Sequence, residues 1–196
     1  MAPNLTMLRH DIVRDPLPGT FDFIHARLVL GGLPQREQVL SKLVRALNPN
    51  GRILIEDLDA HRTDMVLHAP SRQAAERFTL LHEAMQRLLA AEDSDYTWPR
   101  RIHALLMDAG LIHVESEIYA TGWIGGDEGG TAYLKSRIAF VHDGLLAAGL
   151  SEELLTAVGE LLDDPQLVLA GQPLYSVSGR RPALEGVGHG RLSRWP

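Results

Sequence analysis

An α/β fold is predicted by three features of the chain. Apolar runs that read as strands alternate with segments of helical period, and turns of a few residues bound each of them. FDFIHA (21–26) and RILIEDLD (52–59) flank one such helical segment; two strands so joined make a right-handed crossover unit, so a mostly parallel sheet with flanking helices is expected. A length of 196 residues, 45% hydrophobic and 22% charged, suits one globular domain with a core of its own.

The elements follow in order. LTMLRHD (5–11) is a short apolar run that reads as a strand, and RDPLPGT after it is turn-forming, because Pro16, Pro18 and Gly19 break any helix. FDFIHA then reads as a mostly buried strand. Between Gln35 and Leu47 the apolar positions Val39, Leu40, Leu43, Val44 and Leu47 share one helical face, and Asn48, Pro49, Asn50 and Gly51 end that helix. The second half is more helical. Ser71 can cap a helix striped by Ala74, Phe78, Leu81, Met85 and Leu88, and a helix from Trp98 to Ala109 can end at Gly110. LIHVESEIYATGW alternates as a strand, GGDEGG (125–130) is a flexible loop, and 131–148 and 151–162 read as helices. LVLAGQPLYSVSG can supply the last strand, and the segment 183–196 reads as a mobile tail beyond a domain of 1–182.

Composition excludes several functions. Lys and Arg number 19 against 25 Asp and Glu, a formal net charge of -6, which lacks the basic footprint of sequence-independent phosphate binding and so argues against nucleic acid. With no cysteine there is no disulfide, thiolate nucleophile or thiolate-bound zinc. The N-terminus has no continuous apolar core, and no stretch approaches the ~18 apolar residues of a membrane span, so the chain reads as cytoplasmic. His82-Glu83 opens an H-E-x-x-H pattern, but position 86 is Gln, so no zinc site is expected and no other His spacing suggests a metal.

LRHDIVRDPLPGTFDFIHARLVLGGLPQREQVLSKLVRALNPNGRILIEDLD resembles the central part of the class I S-adenosylmethionine-dependent methyltransferases, in the order acidic residue, FD-strand, helix, L-x-P-x-G turn and acidic strand end. The downstream helix leading to DAGL and the closing GRRP resemble small-molecule methyltransferases of bacterial secondary metabolism. The resemblance implies a Rossmann-like fold with an added helical region, S-adenosylmethionine as cofactor and a small-molecule acceptor. It implies that the Asp11 carboxylate accepts from the adenine amino group, with Ile12 alongside the ring. It places His25, Ala26 and Arg27 at the carboxyl edge of the sheet, near the methionine part of the cofactor. Methyl transfer is an in-line displacement that needs positioning and, for some acceptors, a base. Asp57 and His61 are the candidates to orient or deprotonate the acceptor; Tyr96, Trp98 and Trp123 could wall it, or simply be core. Taken singly, Asp11, Asp57 and Asp59 read first as caps or turn residues, and His25, Arg27 and His61 as ordinary partners; only the combined order favours the site.

The family's glycine-rich turn and ribose-binding carboxylate should precede Asp11, and only ten residues do. Gly186, Gly188 and Gly190 form a literal G-x-G-x-G with no strand leading into it, and GGDEGG lies far downstream of the first strand with two acids that would repel an anion. The expectation is therefore a fold incomplete at its N-terminus. FDFIHARLVL would be left with an exposed edge, fit to pair with a second copy or a partner chain. The alternative function is then a non-catalytic methyltransferase-like subunit that pairs through that edge.

Overall fold

The computed structural model describes residues 4–62, 64–90, 95 and 97–183. Tyr96 and most of the tail, including Gly186, Gly188 and Gly190, lie outside the described residues. The expected crossover unit is present: strand β1 (Phe21–Arg27), helix α1 (Arg36–Arg45) and strand β2 (Leu47–Leu58), with β1 and β2 parallel. Helix α1 buries Val39, Leu40, Leu43 and Val44 in a cluster with Ile53 and Ile55 of β2, the face that its period specified. The first residues of β2, where its pairing with β1 shifts register, suit their backbone. Asn50 has φ +65, a conformation Asn tolerates, and a Cβ on Gly51 would lie 2.8 Å from the Asn48 carbonyl and 3.0 Å from that of Phe21.

The remaining elements are β3 (Val66–His68), α2 (Arg72–Ala90), a 3-10 turn (Trp98–Arg101), α3 (Ile102–Asp108), β4 (Ile112–Tyr119), β5 (Gly122–Ile124), α4 (Gly130–Phe140), α5 (His142–Ala147), α6 (Glu152–Leu161), β6 (Val168–Ala170) and β7 (Leu174–Arg180). Ser71 caps α2 by accepting from the Ala74 amide at 3.1 Å, Ser151 caps α6, and Gly110 ends α3 at φ +81.

The main sheet runs β1-β2-β7-β4, with one parallel and two antiparallel pairings, so the expectation of a mostly parallel sheet is corrected to a mixed one. Chain length explains the difference. β7 begins a few residues after β6, at the end of β2, where the Asp59 amide donates to the Pro173 carbonyl. A parallel entry would need a crossover of about a dozen residues. The two runs expected as single strands each break in the middle, giving β4 then β5 and β6 then β7. The later part of the first run, β5, and the earlier part of the second, β6, form with β3 a small antiparallel sheet, β3-β6-β5. The breaks are joined to one another: the Gly171 amide donates to the Thr121 carbonyl at 2.8 Å.

Two cores result. One lies between the main sheet and α1, the 3-10 turn and α3, around Leu47, Ile53, Ile55, Trp98, Ile102 and Val177. The other joins α2, α4, α5, α6 and the small sheet around Phe78, Leu81, Leu134, Leu145, Val158 and Leu169, and forms the added helical region. The opposite face of the main sheet carries Phe23, His25, Arg27, Arg52, Glu115 and Glu117, all exposed. Residues 5–10 form no strand, a correction to the reading of LTMLRHD, and Leu5, Met7 and Leu8 are exposed. β1 is accordingly a strand at the edge of the sheet, with Phe23 57% exposed. No helix among the described residues is long and apolar enough to cross a membrane.

Candidate functional site

The carboxyl edge of β1 and β2 gathers most of the singled-out residues, and the pleat decides what each can do. Along Glu56-Asp57-Leu58-Asp59 successive side chains point to opposite faces of the sheet. Glu56 points to the open face, where it accepts from the Ser176 hydroxyl of β7 at 2.8 Å and lies 2.7 Å from His25 Nε2. Arg27 Nη1 is 3.9 Å away. The Ser176 hydroxyl first, and then His25, hold the Glu56 carboxyl below its ordinary range, so it is ionised. His25, Arg27 and Glu56 are thus one cluster, and Ala26 between them is turned to the core.

Asp57 points the other way. It is 4% exposed, and its Oδ2 accepts from the Trp98 indole at 3.0 Å and the Gly31 amide at 3.3 Å. Burial raises its pKa, against those donors. An acid so enclosed braces β2, the 3-10 turn and the Gly31 loop, on the face of the sheet opposite Glu56. Trp98, weighed as a wall of the site, is fully buried and serves the same brace. Asp59 is buried as well: Arg100 Nε donates to it at 2.6 Å and the His61 amide at 3.2 Å. His61 is the contrast, an exposed side chain on a backbone held by that carboxylate.

Asp11 and Ile12 are placed elsewhere. Asp11 Oδ1 accepts from the Val13 and Arg14 amides at 2.9 and 3.1 Å, and these backbone donors lower its pKa. Lys42, in the last turn of α1, donates to the carbonyls of Ile12, Val13 and Asp15. Helix α1 returns from the carboxyl ends of the strands to their amino ends, so this turn is anchored away from His25, Arg27 and His61. Asp11 itself is exposed, with its Oδ2 3.8 Å from Arg14 Nε.

Other contributors escaped the sequence reading. Ser176 and Arg100 join the site through β7 and the 3-10 turn, and no local pattern pairs them with β2. Leu28 has φ +55 and ends β1 by donating its amide to the Glu56 carbonyl at 2.8 Å; such a conformation in a bulky residue is the kind of strain that gathers at functional edges. The GGDEGG loop is structural. Asp127 accepts from the Ile124, Gly129 and Thr131 amides, and Gly130 and Gly171 leave space for the Trp123 indole, since a Cβ at either would lie 2.0 and 2.6 Å from that ring system. Among the described residues no group of three or more His, Asp or Glu side chains is arranged to hold a metal ion.

Known proteins bear on this geometry. Over 90 residues the chain is 31% identical to the methyltransferase str3 of Strobilurus tenacellus, an alignment that covers 45% of this chain and 30% of that protein. It is similar to the solved structure of Haemonchus contortus phosphoethanolamine N-methyltransferase 2 in complex with phosphomonomethylethanolamine and S-adenosylhomocysteine, at 14% identity and a TM-score of 0.41, covering 84% of this chain and 34% of that one. For the YcgJ protein of Bacillus subtilis the identity is 14% and the TM-score 0.46, covering 89% of this chain and 70% of that one. The chain thus spans 30% and 34% of the first two relatives' lengths. The profile of the methyltransferase domain family matches residues 6–112, more than half of the chain, and it takes in the β1-α1-β2 unit with its polar carboxyl edge; the chain therefore belongs to that family.

Proposed function

We propose that the protein transfers a methyl group from S-adenosylmethionine to a small-molecule acceptor. The observation that carries this reading is the family match over residues 6–112, which includes the strand ends where His25, Arg27 and His61 lie. The residues suit the amino-acid end of the cofactor: Arg27 and the ionised Glu56, 3.9 Å apart, complement a carboxylate and an ammonium. By the resemblance the exposed Asp11 carboxylate, whose Oδ2 lies 3.8 Å from Arg14 Nε, takes the adenine amino group with Ile12 alongside the ring, and Ala26 adds strand backbone between His25 and Arg27.

Bound there, the cofactor supplies an electrophilic methyl group on its sulfonium. Everything else falls to positioning and proton removal. His61 is exposed on a held backbone, so a ring nitrogen can accept the proton of a hydroxyl or ammonium acceptor. Asp57 acts at one remove, by fixing the Gly31 loop and the 3-10 turn. Titration calorimetry with S-adenosylmethionine and S-adenosylhomocysteine tests the reading. Saturable heat weakened by Arg27→Ala and Asp11→Ala, but not by His61→Ala, supports it; no heat up to millimolar ligand overturns it.

One observation favours a second reading. β1 is an edge strand with an exposed Phe23, so the protein pairs through that edge with a second copy, as a non-catalytic subunit would. Association without cofactor heat selects it.

A further inference from the structure

The loop that carries His61 leaves β2 without a regular partner, yet its backbone is held on both sides of that residue. Helix α2 supplies the holds. His82 Nε2 lies 2.6 Å from the Arg62 carbonyl, and Gln86 Nε2 donates to the carbonyl of Ala60. A carbonyl only accepts, so His82 Nε2 carries the hydrogen. Residues 82 and 86 are one helical turn apart and share a face. They sit where Phe78, Leu81 and Met85 root α2 in the second core, and His82 stacks on Phe78 at 5.9 Å with the rings nearly parallel. His82 is 3% exposed, and burial lowers its pKa, so the neutral ring is the resident form. The cavity under the loop, between Ala60, His82, Gln86, Tyr133 and Gln172, has a volume of about 10 Å³. That is room for about one water, and no room for the loop to sink. On the far side the Asp59 carboxylate takes the His61 amide, and Asp59 is itself held by Arg100 and by Pro173.

We infer that His82 and Gln86 are positioning residues for His61: a pair one turn apart on α2 that grips the carbonyls before and after it and presents its imidazole at the carboxyl edge of β2. The inference rests on the reading of His61 as the acceptor-side base. It gives the H-E-x-x-Q stretch, which fails as a zinc motif, a different use for the same one-turn spacing. Two donors on a rigid helix fix a loop backbone at two points, which leaves only the side-chain torsions of His61 free.

The test uses Gln86→Met and His82→Phe, which keep volume and remove a donor, and His82→Gln, which keeps a donor without the ring. Amide hydrogen exchange over residues 59–62 and 15N relaxation of the His61 amide are read in each full-length variant. Exchange there rises about fivefold in Gln86→Met and in His82→Phe, the factor for one net hydrogen bond, while α2 and β1 keep their protection and His82→Gln restores the loop. Unchanged exchange and relaxation in Gln86→Met overturn the inference, even where His82→Phe fails to fold. The methyl-transfer assay of His61→Ala separates the two ideas. Full activity in His61→Ala removes the base while the clamp still shows in exchange; lost activity with unchanged loop exchange keeps the base and removes the clamp.

Discussion

Asp57 and His61 stand four positions apart, and their surroundings give them opposite work. Removing the Asp57 carboxylate leaves the fully buried Trp98 indole N–H and the Gly31 amide without their acceptor. Asp57→Ala is expected to cost about 2–3 kcal/mol, and Asp57→Asn clearly less because its carbonyl still accepts; urea unfolding of both variants checks this. His82 carries a pH signature. Its folded-state pKa lies below the ordinary 6.5, chiefly from burial. As pH falls through the unfolded-state value, the unfolded chain takes a proton that the fold refuses, so stability drops and then levels off below the folded value. His142 acts with the opposite sign, since Asp143 and then Glu152 raise its pKa: its contribution is present at low pH and fades as pH rises through the raised value. Unfolding midpoints between about pH 7 and about pH 5 are expected to fall more in the wild type than in His82→Gln; parallel pH profiles would refute the assignment.

Between elements, glycines decide where strands break and turns fit. Gly130 and Gly171 leave the space that Trp123 fills, and the break at Gly171 lets β6 and β7 serve two sheets. Gly130→Ala sets a Cβ 2.0 Å from the Trp123 ring, so something must move. The expected loss is about 1–3 kcal/mol, seen as a lower thermal midpoint and a changed Trp123 fluorescence. The alternation in LIHVESEIYATGW and LVLAGQPLYSVSG was legible as strand, but the switch of sheets was not. It depends on a hydrogen bond between Gly171 and Thr121, 50 residues apart in sequence.

For the whole molecule the consequential feature is the free side of β1. A strand at the edge of the sheet with an exposed Phe23 invites a further strand. Light scattering is expected to show concentration-dependent association that Phe23→Lys reduces while leaving the circular dichroism unchanged. A protein that stays monomeric at all concentrations would remove the pairing reading and leave the transferase reading standing.

What the sequence by itself determined is local and periodic. The β1-α1-β2 unit, the caps at Ser71 and Ser151, the Gly110 stop and the positive φ at Asn50 follow from spacing and residue type, because each depends on neighbours within a few positions. The resemblance carried by Asp11, the FD-strand and the LNPNG turn pointed to the family that the profile match identifies. Tertiary structure decided the rest. The pleat and the 3-10 turn made Asp57 a buried brace, Lys42 tied the turn after Asp11 to α1, and α2 brought His82 and Gln86 to the loop of His61. Those outcomes rest on contacts between residues 20 to 41 positions apart, where side-chain facing and burial, which no local pattern encodes, settle which polar group is sealed and which is left to react.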